Sequence, residues 1–151
     1  MENTEKVILT NMCMIYDDCG NVVVQNRVDK NWHGFAFPGG HVERGESFTD
    51  AVIREVYEET GLTVSELQMC GIKDWVREDG IRYIVHLYKT NKFEGELRSS
   101  DEGEIMWVPM NKFYELDLAD GMESYPKFFM EDKLSEIYLY RENGEWKECV
   151  K

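Results

Sequence analysis

The stretch GHVERGESFTDAVIREVYEETGL, residues 40–62, constrains this chain more than any other part of it. Ser47 suits a helix N-cap, with Asp50 three places on in the capping-box position. Gly61 stands where a left-handed residue closes a helix. Together they predict a helix over 48–60. Advancing about 100° per residue from Glu55 puts Glu58 near −60° and Glu59 near +40°. The three glutamates therefore share one face. Val52, Ile53, Val56 and Tyr57 fall between about +60° and +200° and form the core-facing stripe.

Clustering carboxylates in this way is unfavourable. Like charges at i,i+3 and i,i+4 repel, and the negative end of the helix dipole adds to the cost. A solvated acidic face is the commonest outcome of such a pattern. Here, however, FAFPGG (35–40) precedes the helix. Proline with two glycines makes a tight turn that can present a backbone carbonyl. Hard oxygen ligands gathered in this way suit Mg²⁺ or Mn²⁺. Arg54 can neutralise and orient one of the carboxylates.

The rest of the chain reads as strands with interspersed helix. Segments 6–16 and 22–27 flank the turn DDCGN and predict a hairpin. Segments 66–78 and 81–90 predict a second hairpin around Asp79-Gly80. Further strands are expected at 93–98 and 104–110, and a second helix late in 111–132. A last hairpin turns at Asn143-Gly144. This order predicts an α+β or layered α/β domain. At 151 residues it is expected to form one domain, 1–151.

Composition excludes several classes. A net charge of −13 repels a phosphate backbone, so no nucleic-acid partner is expected. Small anionic ligands remain open if cations bridge them. No apolar run reaches the ~20 residues of a membrane span, and MENTEKVILT does not resemble a signal peptide. Cys13, Cys19, Cys70 and Cys149 lack metal-site spacing and suit free thiols in a reducing cytoplasm. His33, His41 and His86 show no partner pattern.

With these residues in view, the stretch resembles the Nudix box, G-x5-E-x7-R-E-U-x-E-E-x-G-U, where U is bulky and aliphatic. Gly40, Glu46, Arg54, Glu55, Val56, Glu58, Glu59, Gly61 and Leu62 match all nine specified positions. The resemblance implies an α/β/α sandwich with a mixed sheet and a catalytic loop–helix–loop. It implies hydrolysis of a nucleoside diphosphate linked to another group, with Mg²⁺ or Mn²⁺ as cofactor. Carried over residue by residue, it implies that the Gly39 carbonyl, Glu55, Glu58 and Glu59 hold the metal. Glu46 and Arg54 would support them, or form a purely structural ion pair. The general base is expected in SSDEGEIMW, at Glu102 first and Glu104 second, with Glu58 as an alternative inside the box. Glu102 is also a candidate metal ligand.

The box leaves the substrate open. The proline that marks the ADP-ribose branch is absent, since 76–78 are Val-Arg-Glu, and Tyr83 lies too far on for the dinucleoside-polyphosphate marker. FAFPGGHVE and EGEIMWVP resemble the MutT-like branch, which implies 8-oxo-dGTP + H2O → 8-oxo-dGMP + PPi. Another nucleoside diphosphate derivative, such as an unmodified triphosphate or a nucleotide sugar, is the alternative enzyme reading. A nucleotide-sensing module without turnover is the non-enzymatic one. A purine needs an apolar clamp and polar readers of the base edge. Phe35 and Phe37 are candidates for the clamp, and Asn11, Asp117 and Asp120 for the readers. Trp32 and Trp107 are expected to pack. Monomer and homodimer remain equally open.

Overall fold

The computed structural model describes residues 2–151. Ten strands and two α-helices run in the order β1 (Val7–Ile15), β2 (Asn21–Arg27), β3 (Gly34–Ala36), α1 (Phe48–Thr60), β4 (Thr63–Ser65), β5 (Gln68–Val76), β6 (Arg82–Thr90), β7 (Lys92–Glu94), β8 (Gly103–Pro109), α2 (Tyr125–Met130), β9 (Glu136–Glu142) and β10 (Glu145–Val150). The main sheet is mixed and has the order β1-β6-β5-β9-β10. Within it β1–β6 and β5–β9 are parallel, while β5–β6 and β9–β10 are antiparallel. A second sheet, β3-β2-β8, is antiparallel, and β4 pairs with β7.

Strand alternation divides the core. Met12 and Met14 of β1 point into a cluster with Phe37, Leu87, Phe113, Phe128 and Phe129. Cys13 and Ile15, on the opposite face, join Val52 and Val56 of α1 with Val23 and Tyr88. The sheet is thus covered on both faces, by α1 on one and by α2 with its preceding 3-10 turns on the other. That is why residues 10–15 are buried without interruption. Among the described residues no helix is long and apolar enough to cross a membrane.

The hairpins at 79–80 and 143–144 form as expected. The one expected between 6–16 and 22–27 does not. The turn is there, with the Asp17 carboxylate accepting from the Cys19 and Asn21 amides, but only a Tyr16–Val22 bridge follows it. The strands then part into different sheets. The reason is non-local: β6 takes one edge of β1, and the other edge is taken by 38–42. The Asn11 amide donates to the Gly40 carbonyl, Cys13 to Pro38, and Val42 to Leu9. The strand expected at 93–98 shortens to 92–94, and α2 is a short helix at 125–130.

Helix α1 keeps its expected bounds. The Ser47 hydroxyl accepts from the Asp50 amide at 3.0 Å, and Gly61 takes φ 80° to end the helix. Two face assignments change. Tyr57 is 47% exposed, with Arg98 over its ring, and is not part of the core stripe. Glu59 is 3% exposed and is the buried carboxylate of the acidic face.

Candidate active site

Pairing of 38–42 along β1 brings the two glycines against α1. The Gly39 amide donates to Glu59 Oε2 at 3.0 Å, and the Gly40 amide donates to Asn11 Oδ1 at 3.1 Å. A side chain on Gly39 has no room, since its Cβ would overlap the Asn11 carbonyl, and one on Gly40 would displace the Glu55 carboxylate from its place. The carbonyls on either side of Gly39 are both taken up by β1.

Arg54 ties the loop to the helix. Its Nε and Nη2 donate to the two oxygens of Glu46 at 2.8 and 2.9 Å. Nη1 donates to Glu55 at 2.9 Å and to Glu58 at 3.2 Å, and Nη2 also donates to the His41 carbonyl. This fork holds the Glu46 carboxyl down at about 2, and the Glu46 bond raises the Arg54 pKa further above its ordinary value.

The other carboxylates are crowded. Burial pushes Glu59 up to about 9, helped by a hydrogen bond with Glu102 and by the charges of Glu102 and Glu55. Burial also raises Glu55, against the pull of Arg54. Among the described residues no three acidic, cysteine or histidine side chains already form a cage. Arg54 offsets part of the charge of the group through its bonds to Glu46, Glu55 and Glu58.

These carboxylates occupy one end of a cleft of about 680 Å³. Asn11, Gly39, Glu55, Glu59, Glu102 and Asp120 all line it, as do Phe37 and His41. Asn11 is 4% exposed, and its Nδ2 is buried without a partner. Five of the sequence candidates lie elsewhere or differ in character. Glu58 is exposed at the rim in the grip of Arg54. Phe35 and Asp117 lie outside the cleft, joined to each other by the Phe35 amide and the Asp117 carbonyl at 2.9 Å. Phe37 is 1% exposed, stacked on Phe113 at 5.2 Å and edge-on to Phe129, so it is a floor and not a free clamp. Glu104 is exposed on β8 and does not line the cleft.

The cleft also holds residues that the sequence reading passed over or assigned elsewhere. Trp32, expected to pack, is a wall of the cleft, its indole N–H donating to the Asp120 carbonyl at 3.0 Å. Trp75 and Tyr83 stack at 4.6 Å, and Lys73 and Tyr125 adjoin them. The period-two spacing of Lys73 and Trp75, and of Tyr83 and Val85, in the 66–90 hairpin was the available signal. It shows which residues share a face, but not which face meets the site. Trp107 packs against Phe93, as expected.

Comparison with known proteins agrees with this arrangement. Residues 8–131 match the NUDIX domain model. YvcI of Bacillus subtilis strain 168, described as an uncharacterized Nudix hydrolase, is 30% identical over 75% of this chain and 72% of its own length. An oxidized purine nucleoside triphosphate hydrolase of Danio rerio is 39% identical over 54% of this chain, which spans about half of that protein, 51%. The crystal structure of the mutator MutT protein from Bacillus halodurans superposes with a TM-score of 0.76 at 27% identity, covering 95% of this chain and 97% of that one. The chain belongs to the Nudix hydrolase family, whose members are pyrophosphohydrolases of nucleotide derivatives that work with divalent metal ions.

Proposed function

We propose that this protein hydrolyses a purine nucleoside triphosphate to the monophosphate and pyrophosphate, with 8-oxo-dGTP as its substrate and Mg²⁺ as its cofactor. The observation that carries the reading is the lining of the cleft. Glu55, Glu59 and Glu102 crowd together beside Gly39, Gly40 and Asn11, and Trp32, Trp75, Tyr83 and Tyr125 line the same cleft with Asp120. A triphosphate with a base attached has the same polarity. The name of the zebrafish relative and the fold of the Bacillus halodurans protein support the choice of branch.

The donor set fits a hard divalent cation. It consists of oxygens alone, and its proton affinity is raised by burial first and by mutual repulsion second, both of which a cation would offset. The Gly39 carbonyl, Glu55, Glu59 and Glu102 would hold it, with Glu58 contributing from the exposed rim. The ion supplies charge neutralisation of the polyphosphate and acidifies the attacking water. The protein's own residues do the rest. Arg54 and Glu46 hold the helix against the glycine loop, so that Glu55 and Glu59 keep their positions. Glu102 takes the proton from water as it attacks phosphorus in line. The aromatic side chains of the cleft offer their faces to the base, while Asn11 and Asp120 read its edge.

Pyrophosphate release from a nucleotide panel with Mg²⁺ tests this. The expected result is a higher kcat/KM for 8-oxo-dGTP than for dGTP. Equal values retire 8-oxo-dGTP as the substrate, and release from no triphosphate retires the triphosphate reading.

A further inference from the structure

Lys73, on β5, is 6% exposed and lines the cleft. A lysine this buried is ordinarily paired, because an unpaired cation away from water is costly. Among the described residues the ion pairs and side-chain hydrogen bonds of lysine ammonium groups belong to other lysines, such as Lys89 with the Phe129 carbonyl and Asp132, and none involves Lys73. Its close neighbour is the Tyr125 ring, 4.8 Å from Nζ. Burial pulls its proton affinity down, and the charges of Glu148, Glu123 and Asp120 pull it up. The carboxylates of Glu59, Glu55 and Glu102 act on one another. The Tyr125 ring and the Gly121 turn, and not the glutamates of the box, stand against the Lys73 ammonium, which assigns it to the part of the cleft that would take the base.

Its surroundings suit a planar ring. Trp75, two residues on along the same face of β5, stacks on Tyr83 at 17° between planes. Trp32 and Asp120, joined by the indole N–H, line the same cleft. The backbone turn at Gly121, with φ 84°, closes over the ammonium: a Cβ there would sit 2.8 Å from Nζ. Arg27 and Asp29 are held against Trp32, at its ring, carbonyl and amide, which leaves Lys73, a group that can only donate, and the Asp120 carboxylate, which accepts, to face a ligand here.

We infer that Lys73 is a specificity-determining residue that donates to a keto oxygen of the base while Asp120 accepts from the adjacent ring N–H, so that the cleft selects 6-oxo purines over adenine. This rests on the reading of the cleft as a nucleotide site. Guanine and hypoxanthine, oxidised at C8 or not, place a C=O beside an N–H. Adenine places an amino group and a bare ring nitrogen there, so both protein groups would be left unpaired. A site built on hydrogen bonds rejects such an analogue far more strongly than an apolar pocket rejects a change of size.

The test uses Lys73→Met and Lys73→Gln with two readouts. Calorimetric binding of dGMP, dIMP and dAMP needs no turnover, and kcat/KM for dGTP, dITP and dATP follows hydrolysis. The wild type is expected to prefer both oxo-purines. Lys73→Met should cut that preference at least ~10-fold through the oxo-purine arm alone. Its melting temperature should hold or rise, since an apolar isostere replaces a buried unpaired cation. Lys73→Gln, which can accept as well as donate, should relax the preference while retaining binding. A preference unchanged in both variants, an equal loss across all bases, or no preference in the wild type would overturn the assignment. If no triphosphate is hydrolysed but the monophosphate preference follows Lys73, the proposed reaction fails and the base reading stands.

Discussion

Of the glutamates on the acidic face of α1, Glu59 is the buried one. It is bonded to the Gly39 amide and pressed against Glu102. Its folded pKa of about 9 lies above the ordinary 4.5, so the folded protein holds a proton that the unfolded chain gives up. Stability from this group is complete below pH 4.5 and is lost as pH rises towards 9. Metal-free protein should therefore show a falling melting temperature across that window, and Glu59→Gln should flatten the fall. A profile identical in the two proteins would contradict the assignment. Glu46 has the opposite sign: held at about 2, its contribution is present above pH 4.5 and disappears as pH falls through 2. Arg54→Gln should lower kcat by ~10–100-fold, as expected for a residue that positions ligands, with a smaller change in KM. Steady-state kinetics check this. At this scale the sequence showed that Glu55, Glu58 and Glu59 share a face, because that follows from helix geometry alone. It did not show which of them is buried, because burial depends on where residues 38–42 lie along β1.

Among the elements, α1 was the most legible. Its bounds rest on local chemistry, a serine cap and a left-handed glycine, and both occur as written. Ser47→Ala should cost about 1 kcal/mol in denaturant unfolding. The hairpin at 79–80 was legible for the same reason, since Asp-Gly is a local signal. The pairing of β1 was not. Its edges are claimed by β6, far along the chain, and by the Pro-Gly-Gly segment, and neither contact leaves a mark in a short window. The same limit explains Phe37. An aromatic residue just before the glycines suggests a stacking platform, yet its faces are occupied by Phe113 and Phe129. Phe37→Ala should lower stability by about 3–5 kcal/mol, a core-sized loss. A small change in unfolding free energy with a large rise in KM would restore it to the base clamp.

For the whole molecule, a net charge of −13 would repel a triphosphate at long range. The fold concentrates part of that charge in one cleft, where on the proposed reading a divalent cation would offset it, and lines the same cleft with aromatic rings. The glutamate box was legible because its spacing is set by one helix. The aromatic lining was not, because Trp32, Trp75, Tyr83 and Tyr125 come together only when four separate segments meet. Pyrophosphate release from 8-oxo-dGTP with Mg²⁺, measured for the wild type and Glu59→Gln side by side, tests the account most directly. The account predicts rapid release by the wild type and a loss of ~10²–10³-fold or more in the folded variant. A variant that turns over at the wild-type rate would contradict it.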